Sequence, residues 1–205
     1  VGVRIGVLDL QGDVSEHIEA FRRALSEEGL PQGSEVVTVR KPDQIPSCDG
    51  LAIPGGESTT ISRLIDKNVM RRPLEEFQGG IFATCAGLIM MAKGAPDPRV
   101  KPLGLLDIDV ERNAFGRQKD SFEADLVIKG LGVPFHAVFI RAPVISRIGE
   151  GVEVLADVDG APVAVRQGKH LGLCFHPELS GDTRLHRMFL ANLTRFHAQS
   201  TREIS

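Results

Sequence analysis

The stretch Gly80-Ile81-Phe82-Ala83-Thr84-Cys85-Ala86-Gly87-Leu88-Ile89-Met90-Met91-Ala92-Lys93 decides the fold. Gly80 to Thr84 carries no charge, as a strand buried on both faces of a parallel sheet should not. Ala86 to Lys93 reads as a helix, so the chain passes from strand to helix through the single residue Cys85. Units of the same kind lie on either side. Upstream, Arg4 to Leu10 is short and apolar and ends in the turn-prone Gln11-Gly12-Asp13. A helix follows, with Asp13 and Glu16 as an N-cap and N3 pair, Val14, Ile18, Phe21 and Leu25 on one face, and Gly29 as its stop. Glu35 to Val39 and Leu51 to Ile53 read as strands, and Ser58 to Lys67 as a helix with Ile61, Leu64 and Ile65 inward. Downstream, Leu171 to Phe175 is a strand, and Asp182 to Ala198 is a helix with Leu185, Phe189, Leu193 and Phe196 along one stripe. Such alternation predicts a three-layer α/β fold, its mainly parallel central sheet flanked by helices, with the ligand site at the carboxyl ends of the strands.

Between Val100 and Val165 the helical periodicity fades. Strand-like stretches at Asp107 to Glu111, Glu123 to Ile128, His136 to Ile140, Val152 to Val158 and Pro162 to Val165 predict an antiparallel β insertion. No repeat or linker interrupts the chain, so one domain is expected over residues 1–198, with a frayed tail over 199–205. His17 and His186 are expected on exposed helix faces.

Composition narrows the function. A net charge of -3 and the absence of Trp and Tyr argue against a nucleic-acid partner. No apolar run approaches the roughly 20 residues that span a bilayer, and Val1 to Leu10 lacks a signal-peptide cleavage pattern, so a cytoplasmic protein with no membrane partner is expected. Cys48, Cys85 and Cys174 are odd in number and widely spaced, which suits neither a disulfide framework nor a zinc site. The histidines show no metal-ligand spacing, so neither a metal nor a cofactor is expected.

Three segments at the expected sheet edge carry chemistry. Ala83-Thr84-Cys85-Ala86-Gly87 has the setting of a nucleophile elbow: a thiol exposed on a sharp turn, a helix start that favours the thiolate, and the Ala86 amide aimed at a developing oxyanion. Taken alone, Cys85 reads equally as a small buried hydrophobe. His176-Pro177-Glu178 follows an apolar strand and supplies a base with an acceptor to orient it; by itself it also reads as a loop histidine beside a surface acid. Pro54 to Thr60 is glycine-rich but lacks the Gly-Lys-Ser/Thr of a phosphate loop, leaving a second oxyanion donor or an ordinary strand-to-helix turn. Arg112 to Gln118 and Phe139 to Pro143 hold arginines suited to a substrate carboxylate, though spacing alone admits solvated turns.

With these segments in hand, the sequence resembles the glutaminase subunits of pyridoxal 5′-phosphate synthase, which are class I, triad-type glutamine amidotransferases of flavodoxin-like architecture. The resemblance runs over nearly the whole chain: Leu10 to Val14 with Glu16-His17, Pro54 to Thr60, Thr84 to Leu88, Arg112 to Gln118 with Ser121-Phe122-Glu123, Phe139 to Pro143, and His176 to Leu179. It implies a nucleophile at Cys85 with His176 and Glu178 completing the triad, and an oxyanion hole at Gly56 and Ala86. It further implies L-glutamine held by Gly55, Gly56, Glu57, Arg112, Ile140 and Arg141, and ammonia passed to a separate (β/α)8-barrel synthase subunit that makes pyridoxal 5′-phosphate. A glutaminase for another acceptor synthase and a cysteine peptidase of the same architecture are the competing readings. Ala83 stands where the family usually has glycine, from which a slightly tighter elbow with retained activity is expected; Asp9 stands where it usually has a small apolar residue.

Overall fold

The computed structural model describes residues 2–111 and 121–203. Its central sheet is built from β1 (Arg4–Leu8), β2 (Glu35–Val39), β3 (Gly50–Ile53), β4 (Gly80–Thr84), β9 (Glu153–Val158), β10 (Ala161–Gln167) and β11 (His170–Leu173). These lie in the order β2-β1-β3-β4-β11-β10-β9. The first five in that order are mutually parallel, with Ile5 beside Gly50, Ile53 beside Ala83 and Leu173 beside Thr84. β3 and β4 are buried at every position, which is why they read as unbroken apolar runs rather than alternating ones.

The helices are α1 (Val14–Glu27), α2 (Ser58–Lys67), α3 (Arg71–Glu75), α4 (Ala86–Met91) and α5 (Arg184–Glu203). α5 runs beyond the end expected at Ala198. It packs flat on one face of the sheet because Gly50 and Gly80 have no side chain: a Cβ at either would come within 2.6 Å of Leu193. α4 covers the other face, where Leu88 packs over Gly172.

The antiparallel insertion is present and divides into parts. Among the described residues, β5 (Ile108–Glu111) with β8 (Val144–Ile148), and β6 (Ser121–Leu126) with β7 (Phe135–Ile140), form separate two-stranded ladders. β9 and β10 instead extend the central sheet as an antiparallel edge on β11, and β8 was not foreseen because Val-Ile-Ser-Arg-Ile has no clean alternation. His17 and His186 are not on the surface; both are fully buried. His17 follows Val14 and precedes Phe21 at the three- and four-residue spacing of α1's inner stripe, so its position is a core position despite its polarity. His186 is stacked on Phe82 at 4.8 Å and set edge-on to Phe21 at 4.8 Å, an aromatic filler between α1, α5 and the sheet.

Because the chain runs from β1 outward to β2 and then back to β3 on β1's other side, the sheet order switches beside β1. At such a switch the connections leave on opposite faces and open a crevice at the carboxyl ends of the strands. Four segments meet there: Gln11 to Asp13 after β1, Pro54 to Glu57 after β3, Cys85 after β4, and His176 to Glu178 after β11.

Candidate active site

Cys85 turns the chain from β4 into α4 with φ 49° and ψ -110°, a left-handed backbone that a side chain adopts only under constraint. The constraint is visible on both sides. The Cys85 amide donates to Leu173 O at 2.9 Å, prolonging the β4–β11 pairing, while Gly87 lies so close to β3 that a Cβ there would be 2.0 Å from Ile53 O. Ala83, fully buried and paired with Ile53, fits beneath this turn. The thiol donates to the Ile140 carbonyl at 3.7 Å. α4 itself is only six residues long, so the sulfur's surroundings owe more to the elbow and to His176 than to a helix dipole.

His176 leaves β11 with its amide bonded to Val138 O at 2.8 Å. A single 3₁₀ turn over Pro177–Leu179 then folds Glu178 back beneath the ring. Glu178 Oε1 accepts from His176 Nδ1 at 2.7 Å; the carboxylate is fully buried and the imidazole nearly so. Asp13 Oδ2 lies 3.1 Å from the same nitrogen. Asp13 therefore does not cap α1 with its side chain, as its sequence pattern suggests; the carboxylate is turned toward the histidine instead. Burial pushes the His176 pKa down, but hydrogen bonds with Asp13, Cys85 and Glu178 outweigh it and push the imidazole up to about 12. The His176 hydrogen bond holds the Asp13 carboxyl below its ordinary value against the opposing effect of burial. With Nδ1 facing two carboxylates, Nε2 is the ring nitrogen left for the thiol.

Among the described residues, Asp13, His176 and Glu178 are also the group whose ligand atoms, within 4.8 Å of one another, could share a metal ion. In this arrangement, though, both carboxylates address the ring nitrogen's proton, which closes the cluster on itself.

The loop after β3 forms the opposite wall. Gly55 sits against His176 and Cys85: a Cβ there would lie 2.5 Å from His176 Cε1 and 3.3 Å from Cys85 Cβ. The loop is tied to the turn after β1, since Asp13 N–H donates to Gly55 O at 3.3 Å and Glu57 N–H donates to Gln11 Oε1 at 2.7 Å. Glu57's carboxylate is occupied as the N-cap of α2, accepting from Thr59 N at 3.1 Å and Thr60 N at 2.7 Å. Its hydrogen bond with Thr59 foremost, together with those with Thr60, holds its pKa at about 2 against the opposing effect of burial.

These walls enclose a cavity of about 460 Å³ lined by Gly56, Glu57, Cys85, Ala86, Ile140, Arg141 and His176, within the usual size range of a small-molecule site. Arg141 occupies the bend between β7 and β8 with φ 45°. All the site residues read from the sequence thus line or adjoin one pocket, except Arg112, which lies outside the described residues. Asp13, Thr84 and His17 also belong to this neighbourhood, and sequence reasoning gave them no chemical role.

A thiol on a strained strand-to-helix turn, beside an imidazole oriented by a buried carboxylate at the edge of a parallel sheet, is the framework of a cysteine-dependent acyl-transfer enzyme. Residues 7–195 match the SNO glutamine amidotransferase family, and the chain belongs to that family. It is 63% identical over 191 residues to the pyridoxal 5′-phosphate synthase subunit PdxT of Methanosphaerula palustris, covering 93% of this chain and 97% of the relative. Identity to the PdxT subunit of Methanoregula boonei is 59% over 192 residues, covering 93% and 99%. A crystal structure of a glutamine amidotransferase superimposes with a TM-score of 0.83 at 48% identity, covering 93% of this chain and 98% of that one.

Proposed function

We propose that this chain is the glutaminase subunit of a pyridoxal 5′-phosphate synthase: it hydrolyses L-glutamine to L-glutamate and ammonia and delivers the ammonia to a separate barrel synthase subunit. The observation that carries the reading is the meeting of Cys85 and His176 in one pocket, with the buried Glu178 carboxylate bonded to the imidazole behind it, in a chain 63% identical to such a subunit along nearly its whole length.

The geometry supports the following course. Glutamine enters the pocket between Gly55-Gly56-Glu57 and Ile140-Arg141; the family resemblance, not the described geometry, assigns Arg112 to its carboxylate. His176 Nε2 takes the thiol proton, and the Cys85 sulfur attacks the carboxamide carbon. The oxyanion of the tetrahedral intermediate is stabilised by the amides of Gly56 and Ala86. The imidazolium returns its proton to the nitrogen, the C–N bond breaks, and ammonia leaves a glutamyl thioester on Cys85. His176 then deprotonates a water molecule, which attacks the thioester and releases glutamate. Glu178 accepts from Nδ1–H throughout and stabilises each imidazolium. The raised basicity of His176 suits a group that must hold a proton between these transfers.

The exposed apolar side chains of Leu179 and Ile140 at the pocket rim, 42% and 39% accessible, support partner docking over the site. Among the described residues no helix is long and apolar enough to cross a membrane. A cytoplasmic location is proposed with this function, supported by three unpaired cysteines that would suit a reducing compartment.

The test is to mix the chain with candidate barrel synthases and follow glutamate release together with glutamine-dependent pyridoxal phosphate formation. Both should appear with the wild type and vanish with Cys85→Ala. Glutamate release that survives Cys85→Ala would overturn the nucleophile assignment, and glutamate release without any pyridoxal phosphate formation would overturn the partner.

A further inference from the structure

His17 is fully buried on the first turns of α1, where an imidazole must find hydrogen bonds or cost the fold their loss. Its Nε2 stands 3.1 Å from Thr84 Oγ1 and 3.5 Å from Glu178 Oε2. Its Nδ1 has no polar partner. Burial drives its pKa below the ordinary value, only partly offset by the nearby Glu178 charge, so the ring is neutral and carries one N–H. That proton belongs on Nε2. There it faces a hydroxyl oxygen and a carboxylate oxygen, whereas on Nδ1 it would be a buried donor without an acceptor and would turn the Nε2 lone pair toward the carboxylate.

The consequence reaches the catalytic pair from two sides. Glu178 is completely enclosed, and its two oxygens face two imidazoles: Oε1 meets His176 at 2.7 Å and Oε2 meets His17. Oε2 itself makes no hydrogen bond; the His17 ring nitrogen 3.5 Å away is in electrostatic contact with it. Thr84, the other group facing His17 Nε2, directly precedes the nucleophile.

We propose that His17 is a positioning residue for glutamine hydrolysis, its Nε2–H held by Thr84 Oγ1 with its positive end toward the second oxygen of Glu178, so that the carboxylate keeps His176 turned toward the Cys85 sulfur. The inference rests on the glutaminase reading above. His17 touches neither the substrate nor the reacting atoms; it acts through Glu178 and Thr84. A purely structural role is the competing explanation, since the ring also packs edge-on to Phe82 at 5.9 Å.

Three variants of the full chain, assayed with the barrel synthase for steady-state glutamate release, separate the two. His17→Leu keeps the bulk and removes the donor; His17→Gln keeps an amide N–H near the Nε2 position; His17→Asn folds in the same polarity but places its amide too short of Glu178. Loss of the Nε2–H, with its hydrogen bond to Thr84 and its attraction for the Glu178 carboxylate, predicts kcat lower by about 10-fold in His17→Leu and His17→Asn, with KM within about twofold, and recovery of most of that loss in His17→Gln. Should His17→Leu fail to fold, the comparison of Gln with Asn carries the test alone. Wild-type kcat in His17→Asn, no advantage of Gln over Asn, or a loss confined to KM would overturn the proposal. Wild-type glutamate release that is absent or independent of Cys85 would instead overturn the glutaminase reading, and this role with it.

Discussion

Gly55→Ala tests the catalytic geometry at its tightest point. The glycine is not in a left-handed conformation, so alanine is acceptable to the backbone and the effect of the substitution comes from the new methyl alone. That methyl would lie 2.5 Å from His176 Cε1 and 3.3 Å from both His176 Nδ1 and Cys85 Cβ. Carbon atoms pack at about 3.5–4.0 Å, so the ring must retreat by about 1 Å. It has little freedom to do so, because Nδ1 is bonded to Glu178 and the ring is only 4% exposed. A displacement of about 1 Å of a catalytic group costs on the order of 10²-fold in rate, and overpacking costs about 1–3 kcal/mol of stability. Glutamate release at saturating glutamine, measured with the synthase present, should therefore fall about 100-fold. Tm should fall by several degrees, on a scale of about 2–4 °C per kcal/mol. A kcat within about threefold of wild type, with Tm unchanged, would refute the claim that Gly55 is required by its closeness to His176.

Three further outcomes follow from the same site. His176→Asn should abolish turnover almost completely, by about 10⁴-fold or more, and Glu178→Gln should be milder because Asp13 addresses the same Nδ1; adding Asp13→Asn to Glu178→Gln should remove that residual rate, and equal damage from the two single variants would contradict these roles. Glu57→Ala should lower unfolding free energy at neutral pH by about 1 kcal/mol through loss of the α2 cap. Because the folded-state pKa of Glu57 is depressed from 4.5 to about 2, the cap contributes fully above the unfolded value and is lost as pH falls between the two, so denaturant titrations should show the difference from wild type shrinking over that window. Gln11→Ala should loosen the 55–57 loop by removing the acceptor of Glu57 N–H, and should lower kcat for glutamate release measured with the synthase present while leaving alkylation of Cys85 unchanged; a wild-type kcat would break the proposed link between that turn and the oxyanion hole.

The readable part of this protein was the part whose causes are local. β3 and β4 announce themselves as apolar runs because both of their faces are covered, and Cys85 follows β4 through residues small enough for an elbow. Once those strands are parallel, their carboxyl ends must share an edge, and Cys85, Gly56 and His176 come together without any side-chain contact being known beforehand. The unreadable part depends on partners distant in sequence. β9 and β10 carry the same alternating pattern whether they form a separate hairpin or extend the main sheet, and only their register on β11 decides between the two. Asp13 fits a local capping pattern, and nothing near it reveals that His176 competes for its carboxylate.

His17 shows the limit most clearly, because it is expected on an exposed face and lies in the core. The spacing Val14, His17, Phe21, Ala24 is that of a buried stripe, and a rule that places histidine outside overrode it. Burial of such a ring is tolerable only if another segment supplies its hydrogen-bond partner. Here the hydrogen-bond partner is Thr84, with the Glu178 carboxylate 3.5 Å away at the edge of the candidate site. A polar residue at a core position of an otherwise regular helix is thus a pointer toward a second polar group across the packing interface. In a sheet of this topology the interface beneath the first helix is also the back wall of the site, so the departure from the hydrophobic pattern and the location of the chemistry have one cause.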